Sequence, residues 1–253
     1  MNEHMRSAVI QFQLCNQSLH YGEHRVLDDI TLTIRQGEKV ALLGPSGAGK
    51  STLLNLLYQQ QPLCSALQPQ GGGLVDLLSV YHNIFIGGLD RVGTLAALWN
   101  LLWPLPKQRQ FIAQLTQRLG LEEKLWQSVD RLSGGERQRV ALGRALFRQQ
   151  PVFLGDEPVS SVDPVQAQAL LAYALNQHET AVISLHNRHL ALAHFDRIIV
   201  LRDGRLCCDC QADALSREQL DAFYQQADSP VSASPLPHGP CTPETDGWVI
   251  RTS

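Results

Sequence analysis

The alternation of apolar and polar positions sets out the elements of this chain before any motif is considered. Ile10, Phe12 and Leu14 alternate with polar neighbours, as do Ile30, Leu32 and Ile34, which predicts two strands with one buried face each. Turn residues at Tyr21-Gly22 and Gln36-Gly37 punctuate them. Lys39-Val40-Ala41-Leu42-Leu43 is apolar almost throughout and stops at Gly44. A run without alternation needs cover on both faces, as strands of a mostly parallel sheet do. Similar runs at 152–154, 181–185 and 198–201 are separated by stretches of helical character, so the predicted fold is α/β with helical crossovers. From about residue 74 to 150 the period changes. Ala141, Leu142, Ala145 and Leu146 recur at helix spacing, and a helical subdomain inserted in the α/β core is expected. Ser, Pro, Thr and Gly dominate from 227 to 253, which predicts a flexible tail with Trp248-Val249-Ile250 as a weak docking point. The folded domain is accordingly assigned to residues 1–226.

Composition narrows the class. With 253 residues, 44% hydrophobic and 18% charged, the chain has the balance of a folded globular protein with a substantial core. A formal net charge of -3 offers no basic footprint for nucleic acid. The apolar stretch 95–103 ends at Pro104, short of the roughly 20 residues that cross a bilayer. Glu3, His4 and Arg6 precede no apolar signal core. A cytoplasmic protein is expected, touching a membrane only through a partner. Of six cysteines, Cys207, Cys208 and Cys210 lie close enough to raise the question of a metal, but no fourth soft ligand has zinc-site spacing. The plain alternative is small residues on a late strand.

Gly44-Pro45-Ser46-Gly47-Ala48-Gly49-Lys50-Ser51 places a glycine, four variable positions and Gly-Lys-Ser where a buried strand gives way to a helix beginning with Thr52-Leu53-Leu54. Several backbone N–H groups must converge on a nucleotide's phosphates, and glycines let the backbone approach that closely. Lys50 adds a point charge at the β- and γ-phosphates, and the Ser51 hydroxyl is a ligand for Mg²⁺. The helix that follows directs its positive end at the anion. Val152-Phe153-Leu154-Gly155-Asp156-Glu157 is a second buried strand, ending in two carboxylates. Ligands of parallel sheets bind at the carboxyl ends of strands, which puts this pair beside the phosphate loop. Asp156 is then the hard oxygen partner of Mg²⁺, and Glu157 the general base or the group that positions the attacking water.

Leu132-Ser133-Gly134-Gly135-Glu136-Arg137-Gln138-Arg139 lies between these two segments. With it, the chain resembles the ATP-binding cassette (ABC) family in motif and in the order of phosphate loop, signature and acidic strand. The resemblance spans about residues 8 to 224 and implies a P-loop ATPase with a small antiparallel subdomain, using ATP and Mg²⁺. It further implies that Ser133, Gly134 and Gly135 of one copy close over the ATP held by another, so that a head-to-tail dimer is the working unit. By the same resemblance Tyr21 stacks on adenine, with a plain core tyrosine as the alternative. Asp163, in Ser160-Ser161-Val162-Asp163-Pro164, helps the two halves communicate, and His186 contacts the γ-phosphate. Val162 stands where the family has Leu or a close relative. Gln68 and Gln70 compete for the position that senses Mg²⁺ and the transmembrane partner; Gln70 is chosen for its distance to Leu78-Ser79-Val80. Lys50 and Gln70 are only 20 positions apart, about half the family's separation, so a β-hairpin of the antiparallel subdomain is expected to be missing or reduced.

The stretches 83–87 and 99–107 resemble the corresponding part of phosphonate-importer ATPases. That implies an importer subunit on the cytoplasmic face of the inner membrane, working with permease subunits and, through them, a solute-binding protein. Trp99 and Trp103, four apart on one helix face, either face a transmembrane partner or pack inside the subdomain. A non-transport ABC ATPase acting on another macromolecule is the alternative. Against it stand a single cassette and the 82 positions from Lys50 to Leu132, which hold no heptads.

Overall fold

The computed structural model describes residues 9–220, apart from 23 and 217. Strands β1 (Ile10–Tyr21) and β2 (His24–Arg35) form an antiparallel hairpin, the two-stranded sheet that the alternation at both ends of this segment predicted. The main sheet is built from β3 (Lys39–Leu43), β4 (Ser65–Gln68), β5 (Val152–Asp156), β6 (Thr180–Ser184), β7 (Arg197–Arg202) and β8 (Arg205–Gln211). Its order is β4-β5-β6-β3-β7-β8; the first five strands run parallel, and β8 pairs antiparallel with β7.

Both faces of this sheet are covered, which is why its strands read as unbroken apolar runs. On one side Val40, Leu42, Leu154, Val182 and Ile199 meet the β1–β2 hairpin and helix α1 (Lys50–Gln60). Leu53, Leu54 and Leu57 of α1 are fully buried there, each worth about 1.5–3 kcal/mol relative to exposure. On the other side Ala41, Leu43, Phe153, Ile183 and Val200 join a larger core with residues of α2 (Val80–Ile86), α4 (Pro106–Arg118), α5 (Gly134–Phe147), α6 (Pro164–Gln177) and α7 (Arg188–His194). Between β4 and β5 the described elements are all helical, α3 (Thr94–Leu102) among them.

Residues 61–64 alone connect α1 to β4, which leaves no length for a further hairpin and accounts for the short span from Lys50 to Gln70. The end of α1 is tied straight to the N-terminal hairpin, where Gln61 Nε2 donates to the Gln11 carbonyl at 2.7 Å. Cys207, Cys208 and Cys210 lie on the last strand, with Cys208 Sγ 3.2 Å from Cys210 Sγ. Burial pushes the Cys208 thiol up to about 12. Among the described residues no three His, Cys, Asp or Glu side chains converge as a metal site would need. Residues 227–253, expected to form the tail, lie outside the described residues.

Candidate active site

The phosphate loop is the turn from β3 into α1, and its glycines are required by geometry. Gly44 has φ 145°, Gly47 80° and Gly49 100°, backbone that an L side chain rarely adopts. A Cβ on Gly44 would also lie 2.1 Å from the Leu201 carbonyl oxygen of β7, and one on Gly49 would lie 2.9 Å from the Val26 carbonyl oxygen of β2. The loop is therefore wedged between its neighbours and has no room to relax around a larger residue. Lys50 opens α1 with its side chain buried, only 6% exposed, and its Nζ donates to the carbonyls of Gly44 at 2.8 Å and Pro45 at 2.9 Å. Burial pushes the Lys50 ammonium down, while the carboxylates of Glu157 and Asp156 pull it back up.

β3 and β5 are separated in the sheet by β6, so the carboxyl ends of three adjacent strands face one cleft. Asp156 ends β5, and its register partner on β6 is Ser184. The Ser184 hydroxyl donates to Asp156 Oδ1 at 2.6 Å and accepts from the Glu157 amide at 3.0 Å. His186, 46% exposed and two residues beyond Ser184, holds its Nε2 2.5 Å from Glu157 Oε1. Ser46, Gly47, Gly49, Lys50, Ser51 and Thr52 line the same cleft as Glu157 and Gln70. Gln70, not Gln68, reaches the phosphate loop; Gln68 is buried at the end of β4, its Nε2 donating to the Pro158 carbonyl at 3.4 Å. A hydroxyl, a carboxylate and an amide oxygen are all hard donors, and Ser51, Asp156 and Gln70 thus fit a small divalent cation bound beside phosphates.

Tyr21 ends β1 at the tip of the hairpin and is 62% exposed, so the plain core reading does not hold for it. On the hairpin side the cleft is walled by Val26. Ser133 caps α5 in a capping box: its hydroxyl accepts from the Glu136 amide at 3.4 Å, and the Ser133 amide donates to Glu136 Oε2 at 2.9 Å. Ser133 and Gly134 are exposed. Gly135 is pressed against the loop after β5, where a Cβ would lie 2.6 Å from the Ser161 carbonyl oxygen. Asp163 caps α6, accepting from the Gln166 amide at 3.0 Å. Gly134, Glu157 and Gln70 share a second cleft that adjoins the first.

The capping box carries a pH signature. The ammonium of Lys124, followed by the Ser133 backbone N–H, holds the Glu136 carboxyl at about 2 against an ordinary 4.5. A lowered carboxyl stabilises the fold above its unfolded value and loses that contribution as pH falls through the folded one. The difference in thermal midpoint between the parent and Glu136→Gln is therefore expected to be full above pH 4.5 and to close as pH approaches 2. A difference that stays constant across that range would show that the ion pair with Lys124 is not its source.

Comparison with known proteins agrees with this geometry. The family described as ABC transporter matches residues 27–160. The phosphonates import ATP-binding protein PhnC of Pseudomonas putida is 39% identical, over 87% of this chain and 92% of its own length. The chain belongs to the ABC transporter family. The PhnC of Pseudomonas entomophila is similar at 38% identity, covering 88% of this chain and 95% of the relative. Among solved structures, a nucleotide-free ATP-binding cassette superposes with a TM-score of 0.64 at 20% identity, over 87% of this chain and 96% of the other. A dimeric cassette in a post-hydrolysis state bound to ADP and Pi gives 0.65 at 24% identity, over 79% and 98%. These two likenesses establish the fold. This ABC cassette is an ATP-binding, ATP-hydrolysing enzyme.

Two residues of the site escaped sequence reading. Ser184 had a signal, being a polar side chain in an otherwise apolar buried strand. Gln138 had none, because a half-exposed helix position tolerates glutamine for many reasons.

Proposed function

We propose that this cassette is the ATPase of an importer for phosphonate or a related anion, working as a head-to-tail dimer beneath a separate permease. The observation that carries the ATPase half of this reading is the meeting of the phosphate loop, Gln70 and Glu157 in one cleft, with His186 paired to the Glu157 carboxylate. Backbone amides from Ser46 to Thr52 cradle the ATP phosphates, and the Lys50 ammonium exchanges its loop carbonyls for β- and γ-phosphate oxygens. Glu157 takes the proton of the attacking water through its carboxylate, and His186, paired with that carboxylate, keeps it aimed at the γ-phosphate. Ser51, Asp156 and Gln70 would hold Mg²⁺, which when bound would neutralise phosphate charge.

Ser133 and Gly134 are exposed at the start of α5, where the Gly134 amide and the positive helix end face a triphosphate held by a second copy. Tyr21, exposed at the hairpin tip, stacks on the adenine, and Asp163 sits at the contact between the two copies. Trp99 and Trp103 stack on each other with ring centroids 5.6 Å apart, and both are largely exposed at 59% and 64%. With Leu95, Leu98 and Leu102 they leave α3 with an apolar surface that favours a permease contact over packing within the subdomain. Among the described residues no helix is long and apolar enough to cross a membrane. As the ATPase of an importer, the cassette sits on the cytoplasmic face of the inner membrane through its permease. Closure of the dimer pulls on that permease near Gln70, and a solute-binding protein delivers the cargo.

The PhnC relatives support the choice of cargo. Reconstitution of the cassette with its permease and binding protein in proteoliposomes tests it. Phosphonate is expected to raise ATP turnover above the level without solute; stimulation by an unrelated solute and not by phosphonate would overturn that choice.

A further inference from the structure

Glu157 has a backbone φ of 52°, the left-handed region that a long side chain occupies only when its surroundings impose it. Two side chains from different elements brace it, one at each end of the residue. From β6, the buried Ser184 takes the Glu157 amide proton on its hydroxyl oxygen at 3.0 Å while its own proton goes to Asp156 Oδ1 at 2.6 Å. From α5, Gln138 Nε2 donates to the Glu157 carbonyl at 2.5 Å and to Ser160 Oγ at 2.9 Å, and its Oε1 accepts from the Ser161 amide at 2.6 Å. The Glu157 amide proton is shared with the Ser184 backbone carbonyl at 3.2 Å, and the Glu157 carbonyl also accepts from the Ser160 amide at 3.3 Å. The Ser184 hydroxyl and the Gln138 amide add to these backbone bonds, and losing either loosens the hold that keeps Glu157 at positive φ with its carboxylate against His186 Nε2.

We propose that Ser184 and Gln138 are positioning residues that clamp Glu157 in its left-handed conformation and so set the aim of its carboxylate. Gln138 stands one turn into the helix that Ser133 opens, so this clamp couples the start of α5 to the base within one chain. The clamp rests on the reading of Glu157 as the base, and its test separates the two. In the full chain, Ser184→Ala and Gln138→Ala are each expected to lower kcat by about 10- to 100-fold, the scale of a misaimed catalytic group. The Kd for a fluorescent ATP analogue is expected to stay at the parental value, and Ser184→Thr, which keeps the hydroxyl, to recover most of the turnover. Parental kcat in either alanine variant overturns the clamp, as does a rise in Kd proportional to the loss of kcat. Gln138 is only half-buried, so Gln138→Ala carries the test alone if Ser184→Ala does not fold. Glu157→Gln is measured alongside: if it turns over at the parental rate, the base assignment fails, whereas loss there with parental Gln138→Ala refutes the clamp alone.

Discussion

Glu157→Gln is expected to hydrolyse ATP about 10²- to 10⁴-fold more slowly than the parent while still binding it, because the amide keeps the shape of the carboxylate but cannot accept a proton. The environment makes this substitution clean. Glu157 is held through its backbone by Ser184 and Gln138, so the side chain is exchanged without releasing the loop. His186 Nε2, 2.5 Å from Oε1, retains an oxygen to bond in the glutamine variant. Turnover by phosphate release, set beside nucleotide binding by equilibrium dialysis, separates the two effects. A variant that hydrolyses at the parental rate would remove Glu157 from the chemistry.

The second large effect is expected at Lys50. Its ammonium is buried and bonded to two loop carbonyls, so its desolvation has been met before nucleotide arrives, and the phosphates gain a charge already in place. Truncating one member of a buried charge pair costs about 2–5 kcal/mol, so Lys50→Ala is expected to weaken ATP binding by about 30-fold or more. The glycines that shape the loop are untouched by that change, and circular dichroism is expected to show an intact fold. Parental ATP affinity in Lys50→Ala would mean that the backbone amides alone hold the triphosphate.

Much of this architecture could be read from residues because its signals are local. Unbroken apolar runs announced a sheet covered on both faces, and Gly44 and Gly49 announced a loop that approaches other backbone; Leu201 and Val26 are what it approaches. The short span to Gln70 announced a reduced antiparallel edge, which residues 61–64 explain. What could not be read depends on contacts between distant segments. The bonds of Gln138 reach 19 to 23 residues along the chain, and the Ser184 contact with Asp156 reaches 28. The left-handed Glu157 leaves no trace in composition, since glutamate is not among the residues that visit that region routinely. The different surroundings of Gln68 and Gln70 likewise depend on the fold: Gln68 is buried at the end of β4, whereas Gln70, in the turn that follows, joins the phosphate-loop lining.

In the proposed dimer ATP is held between two copies, gripped by the phosphate loop of one and capped by the Ser133 turn of the other. Cysteines introduced at Ser46 and Arg131, in a background lacking native cysteines and carrying Glu157→Gln, place a thiol beside each half of that contact. Crosslinking between two molecules on addition of ATP and Mg²⁺, and its disappearance with ADP, is the expected result. A yield that is the same with and without ATP, or no crosslink at all in the ATP-bound protein, would contradict it.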